Sequence, residues 1–332
     1  MIFSEKSIKL YIGGIVALLL PFFFSACTGN DDFDSIDLWG SNYQCHIITE
    51  EDLSPCQPTP YRYREDDKKL RILAIGNSFS QDAVENYLYE LFDAGEISVK
   101  IGHLAIGGCS LQQHWENALS NEKAYSYTVR EEGSENGYTK ESLRDIIEGE
   151  EWDIITLQQA SPWSGIYDTY EPYLSNLIGW ISQLRDCHIL FHQTWAYPKN
   201  SKYAYFPNYD RDQGIMYKAI LDASSFVIDN HSAIEGIIPS GTAIQNGRTS
   251  FIGDNFHRDD LHLNYTYGRF TAACTWYEAI SGRCVLENSF VPENVGKDEE
   301  LVAKMAAHLA VKYPFALCDL RAVISHNFFE GE

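Results

Sequence analysis

The sequence predicts an α/β fold in which a mostly parallel, five-stranded sheet lies between two layers of helices. Two observations predict it. From Leu70 onward, short apolar runs alternate with segments of helical period, the pattern of successive β-α units. The first run, residues 70–75, carries no charge except Arg71 and stops at Gly76, as a strand buried on both faces would. Right-handed crossovers then leave a three-layer sandwich as the natural arrangement.

The elements follow in order. A strand over 70–76 leads through Gly76-Asn77-Ser78 into a helix over 82–94, and a second strand follows at 97–104. A Gly-Gly turn and a short helical stretch come next. Residues 125–138 hold Asn136-Gly137 between polar and aromatic residues, which predicts a surface hairpin insertion. Helix 141–148 precedes a third strand, 153–157; helix 172–184 precedes a fourth, 187–192. After a helix over 209–223, either 226–228 or 235–238 supplies the fifth strand, and helices over 267–280 and 299–312 close the chain. There is no internal repeat.

Ahead of the fold lie a targeting segment and a tether. Lys6 and Lys9 precede an apolar stretch from about residue 10 to 24, which meets Ser25-Ala26-Cys27. This is the layout of a secretory signal, and the cysteine after two small residues resembles a bacterial lipobox, with Phe24 where leucine is more usual. That resemblance implies cleavage before Cys27, lipidation of its thiol and an outer-membrane anchor. The acidic stretch 28–34 resembles surface-export signals of Gram-negative lipoproteins. An uncleaved membrane anchor is the competing reading. The expected organisation is therefore a signal peptide over 1–26, a proline-containing leader over 27–66 and one folded domain over 67–332.

The chain has 25 basic and 47 acidic residues, a net charge of −22, without a basic stripe; nucleic acid is excluded as a partner. Eight cysteines become seven if Cys27 is acylated, an odd number that argues against a full disulfide framework. Cys45 with Cys56 and Cys274 with Cys284 are conceivable pairs, but sequence supplies no geometry for either.

The chemistry centres on Ser78, whose hydroxyl falls at the carboxyl end of the sheet, where open α/β folds bind ligands. A serine there is a nucleophile or simply a helix cap. A nucleophile needs a base, and the base an orienting group. Asp259-x-x-His262, just before a helix, has the spacing for a carboxylate to reach Nδ1 while Nε2 faces a serine. Gly107-Gly108-Cys109-Ser110 follows the second strand, where a backbone N–H can approach an oxyanion closely. Gln158 and Gln159 end the third strand, and either amide is a candidate donor. Trp195, leaving the fourth strand toward the same end, is a candidate for a sugar or acyl pocket, with core packing as the alternative. His188 and His192 share one face of that strand, but no partner at ligand spacing accompanies them, so no metal and no cofactor are expected.

These blocks together resemble the SGNH (GDSL-type) hydrolases, within the DUF4886 group of bacterial proteins. Gly76-Asn77-Ser78-Phe79-Ser80 stands for the nucleophile block, Gly107-Gly108-Cys109-Ser110 for the glycine block, Leu157-Gln158-Gln159 for the third and Asp259-x-x-His262 for the last. The likeness spans roughly 70–281. It implies a flavodoxin-like sandwich with Ser78 as nucleophile, His262 as base and Asp259 as its partner. The N–H groups of Ser78 and Gly108 would form the oxyanion hole. Gly-Asp-Ser is Gly-Asn-Ser here, and the Gly-x-Asn-Asp block is missing, with Gln158 in place of its oxyanion asparagine. Asn77, Gln159 and Trp195 are expected to bind substrate. The expected reaction is ester hydrolysis, on a small-molecule or glycan acetyl ester at the cell envelope. A non-catalytic glycan-binding or accessory surface protein on the same fold is the alternative. Oligomeric state is not readable from the sequence.

Overall fold

The computed structural model describes residues 45–53, 69–134 and 137–321. The signal peptide, Cys27, Cys56, Asn136 and most of the leader lie outside them. Strand β1 (Cys45–His46) and the one-turn helix α1 (Glu50–Leu53) come first. The main body then runs β2 (Leu70–Gly76), α2 (Ser78–Val84), α3 (Leu88–Ala94), β3 (Val99–Ala105), α4 (Leu111–Ser120), β4 (Tyr125–Arg130), β5 (Thr139–Glu141), α5 (Leu143–Gly149), β6 (Ile154–Leu157), α6 (Tyr173–Leu184), β7 (His188–His192), α7 (Gln213–Asn230) and β8 (Ile234–Ile238). The chain ends with α8 (Ser240–Arg248), α9 (Tyr267–Ser281), α10 (Lys297–Lys312) and β9 (Leu317–Cys318).

Strands β3-β2-β6-β7-β8 are parallel and adjacent in that order. Renumbered by appearance, this is 2-1-3-4-5, the flavodoxin-like order, whose switch point falls between β2 and β6. Among the described residues the sheet has seven strands rather than five. The hairpin expected around 125–138 forms, and it extends the sheet: β4 pairs antiparallel with β3, and β5 with β4. Burial falls off along β4, Tyr125 being fully buried and the residues after it partly exposed, as on a strand near the margin of the sheet. Of the two candidates for the fifth strand, 234–238 forms it, and 226–228 continues α7.

Burial on both faces follows from the strand period of two. On β2, Leu70, Ile72 and Ala74 enter one core, while Leu73 and Ile75 enter the other. Helices α2, α3, α8, α9 and α10 cover the first face, and α4, α5 and α6 the second. The expected helix over 82–94 is two helices, divided at Tyr87, whose φ of 69° interrupts the right-handed run.

Part of the leader is ordered rather than irregular. Cys45–His46 pairs in parallel with Leu317–Cys318. Asp52, nearly inaccessible, holds this corner by accepting from His46, Thr49, Lys312 and Tyr313. Cys274 is a buried thiol and does not pair with Cys284, which is disulfide-bonded; Cys56, of the other conceivable pair, lies outside the described residues. Glu278, Cys284 and His308 lie close enough to suggest a metal cluster. The bonded sulfur of Cys284 is no thiolate ligand, and His308 Nδ1 pairs with Glu278 at 2.7 Å. Among the described residues, no helix is long and apolar enough to cross a membrane.

Candidate active site

Ser78 is the first residue of α2, immediately beyond the carboxyl end of β2. The preceding Asn77 caps the helix, its Oδ1 accepting from Phe79 N at 2.9 Å. Asn77 N–H donates to Ser80 Oγ at 3.1 Å, completing a capping box. The turn is tight enough to require Gly76: a Cβ there would lie 2.4 Å from Ser80 Oγ and 2.8 Å from Gln158 Cδ. The Ser78 N–H, at the helix start, has no acceptor within the helix.

His262 Nε2 lies 2.9 Å from Ser78 Oγ across 184 residues of chain. Its Nδ1 lies 2.9 Å from Asp259 Oδ2 and 3.2 Å from Oδ1. The three-residue spacing works because Asp259 Oδ1 also accepts from the backbone N–H groups of Leu261 and His262, at 2.9 and 2.7 Å, folding the segment into a turn. Partial burial would raise the Asp259 carboxyl, but those two N–H groups and the imidazole outweigh it and hold it below the usual carboxylate range. Asp259 therefore stays ionised beside His262 at neutral pH.

The loop bearing His262 is pinned on several sides. His257 and Leu263 form an antiparallel bridge, and Arg258 N donates to His262 O at 2.9 Å. Asp82, one turn along α2 from Ser78, is 1% exposed and receives Arg258 at 2.9 Å, Arg269 at 2.5 Å and Leu263 N at 2.8 Å. Ser201 Oγ donates to Asp260 O at 2.9 Å, and Lys202 N to Asp260 Oδ1 at 2.9 Å.

Gly107 and Gly108 form the exposed turn after β3, with Gly108 at φ 67°, a conformation that favours glycine. This turn neighbours Ser78 because β3 pairs with β2 up to Gly76 opposite Ala105.

The remaining expected residues have other surroundings. Trp195 is fully buried, stacks on Phe79 with centroids 4.4 Å apart and donates Nε1 to Leu261 O at 2.9 Å. It braces the histidine loop from the core. Gln159 is buried and satisfies the local chain: its Oε1 accepts from Leu111 N and Ala160 N, and its Nε2 donates to Thr169. Gln158 is also buried, its Nε2 donating to Asn77 Oδ1 at 2.8 Å and its Oε1 facing His192 Nδ1 at 2.8 Å. It is held inside the protein rather than offered to an oxyanion. Asn77, 1% exposed, is likewise inaccessible to substrate. His192 and His188 do not converge on a metal: the former lies between Gln158 and Ser240, the latter pairs with Glu235 at 2.7 Å.

The sequence model of the family described as a domain of unknown function, DUF4886, matches residues 71–310. The chain belongs to the DUF4886 family. A DUF4886 protein of Bacteroides uniformis, solved as a crystal structure, is 46% identical, with 76% of this chain and 98% of that one covered and a TM-score of 0.74. A Slackia heliotrinireducens protein assigned provisionally to the SGNH hydrolases is 17% identical, covering 64% of this chain and 98% of that one, with a TM-score of 0.44. An acetylxylan esterase of Geobacillus stearothermophilus is 12% identical, covering 68% and 97%, with a TM-score of 0.38. Neither of these two distant likenesses says anything of this chain's chemistry. No curated protein matches.

Two buried histidines of this DUF4886 protein make its stability depend on pH. Burial lowers the imidazoles of His114 and His192 to about 3, so both are neutral in the fold. In the unfolded chain they titrate near 6.5, so the unfolded state binds more protons between about pH 6.5 and 3. The stability is present above that range and is lost as pH falls, by about 1.4 kcal/mol per imidazole per pH unit. The urea midpoint is expected to drop steeply between pH 7 and pH 4.5, and less so in His114→Gln; an unchanged slope in that variant would refute this origin.

Proposed function

We propose that this protein is a serine-dependent hydrolase of ester bonds. The observation that carries this reading is the continuous chain Ser78 Oγ–His262 Nε2, His262 Nδ1–Asp259 Oδ2, each link 2.9 Å. The geometry suits a nucleophile, a general base and an orienting carboxylate.

In the proposed reaction Ser78 Oγ forms a bond to the ester carbonyl carbon as its proton passes to His262 Nε2. The N–H groups of Ser78 and Gly108 donate to the developing oxyanion, a contribution worth about 10²–10³ in rate for one donor. Collapse breaks the bond to the alcohol, which leaves with the proton from His262. A water molecule, deprotonated by the same Nε2, then attacks the acyl-enzyme, and Ser78 leaves with that proton as the acid is released. Asp259 stabilises the imidazolium in both halves.

The substrate we favour is an acetylated carbohydrate at the bacterial cell envelope, with the protein anchored through a lipid on Cys27. Support comes from the lipobox-like segment and from aromatic side chains. With Trp195 in the core, the rings we favour for a sugar are the exposed Tyr138, Tyr205 and Tyr265, which offer a hydroxyl as well as a face, as the exposed Phe226 and Phe251 do not. No long apolar lid supports a lipase.

A fluorophosphonate probe tests the reading directly. Purified protein is expected to gain one phosphonyl group on Ser78, located by peptide mass spectrometry, and to hydrolyse p-nitrophenyl acetate. An unlabelled Ser78 together with no turnover would leave the non-catalytic glycan-binding protein.

A further inference from the structure

The two N–H donors assigned to the oxyanion come from separate turns, one opening α2 and one following β3, and some group must set the gap between them. Asn77 spans it. Its Oδ1 caps α2 through Phe79 N, and its Nδ2 donates to Cys109 O at 3.1 Å, one residue beyond Gly108. One carboxamide thus ties the glycine turn to the nucleophile turn.

That carboxamide is buttressed from behind. Buried His192 is neutral and has one N–H. Gln158 Oε1 can only accept, so the proton is on Nδ1, 2.8 Å away. Nε2 then accepts from the Ser240 hydroxyl at 3.0 Å. The backbone gives the same answer from the other end: Phe79 N–H can only donate to Asn77 Oδ1 and Cys109 O can only accept from its Nδ2, so Gln158 meets that Oδ1 with Nε2, at 2.8 Å, and turns Oε1 to His192. Ser240 opens α8, beyond β8, so the chain of hydrogen bonds crosses from β8 past β7 and β6 to β2.

We propose that Asn77, buttressed by Gln158 and His192, is a positioning residue that clamps the Gly107–Gly108–Cys109 turn against Ser78 and thereby sets the width of the oxyanion hole. This rests on the serine-hydrolase reading above. It assigns Gln158 an indirect role through Asn77. It also accounts for asparagine at 77: an aspartate keeps the acceptor for Phe79 N but presents a lone pair, not a donor, to Cys109 O.

Asn77→Asp separates the clamp from the cap, since both residues cap helices equally well. The variant is expected to fold, to lose about 10²-fold in kcat on p-nitrophenyl acetate and to change KM by less than about threefold, the signature of an interaction made in the transition state. Gln158→Leu is expected to cost about tenfold, and Asn77→Ala with Gln158→Leu no more than Asn77→Ala alone, because one residue acts through the other. Additive losses would mean that Gln158 meets the reacting oxygen itself, overturning the relay.

Amide exchange supplies a readout independent of turnover. The Cys109 N–H, bonded to Ile106 O at 3.1 Å, is expected to exchange about tenfold faster or more in Asn77→Asp, while the amides of β2 and β6 keep their wild-type rates. If the wild-type protein hydrolyses no ester and labels with no probe, yet this exchange responds, the hydrolase reading fails and the clamp stands. Unchanged exchange at Cys109 overturns the clamp, whatever the activity.

Discussion

Replacing Ser78 with alanine is expected to abolish ester hydrolysis and leave the fold in place. The loss follows from the reaction: without Oγ no acyl-enzyme forms, and His262 has nothing to deprotonate except water. Losses on the order of 10⁴–10⁶ in kcat accompany removal of a nucleophile from such a unit. Stability changes little, because the cap of α2 is made by Asn77 and the buried neighbours Phe79 and Ser80 are untouched. The substitution removes one hydrogen bond, 2.9 Å to His262, worth about 1 kcal/mol. Rates on p-nitrophenyl acetate and a thermal melt read both halves. A variant that keeps a tenth of the wild-type rate would mean that Ser78 is not the nucleophile.

Asp82→Ala is expected to damage both stability and activity, although Asp82 is buried and makes none of the contacts within the Ser78–His262–Asp259 chain. Its carboxylate balances Arg258 and Arg269 in a nearly inaccessible position and fastens Leu263 N, the residue after the catalytic histidine. Removing one partner leaves two guanidinium groups partly buried with their main counter-charge gone, a loss of about 3–5 kcal/mol. Arg258 adjoins Asp259, and its N–H bonds His262 O, so the loop is free to shift against α2. A displacement of about 1 Å can cost about 10² in rate. Urea unfolding and kcat, measured together, check this; a wild-type midpoint with wild-type kcat would show that the loop is held by other contacts. Asp82→Asn, which retains an acceptor for Leu263 N, is expected to fall between the two.

The parts of this molecule legible in the sequence are those with local causes. Strands buried on both faces write themselves as short runs dominated by apolar residues, so the expected bounds of β2, β3, β6 and β7 lie within two residues of the observed ones. The Asp259–His262 pair was legible because its geometry is a turn closed by its own backbone. Helix α8 was not, for Ser240, Gly241, Thr242 and Gly247 are poor helix formers and Pro239 precedes them. The helix forms because every one of its residues is buried. Asp82 was missed because its partners lie 176 to 187 residues away, as the numbering of Arg258 and Arg269 gives, and no spacing rule reaches that far. The polar residues at strand ends misled for a related reason. Position on the chain brings Asn77, Gln158 and Gln159 to the correct end of the sheet, but whether a side chain there faces solvent or the interior depends on neighbours from other strands.

The antiparallel hairpin beside β3 has a consequence for how the molecule behaves in company. A parallel sheet that stopped at β3 would present seven residues of unpaired backbone at its lateral edge, a template for strand addition and aggregation. Here β4 covers that edge, and the outermost strand, Thr139–Glu141, is three residues long with Lys140 exposed in its centre. At the opposite edge β8 bears the exposed Glu235, paired with His188. Short length and lateral charge discourage a second chain from docking by backbone hydrogen bonds. Among the described residues, the two edges of the main sheet thus favour contacts through side chains over strand addition.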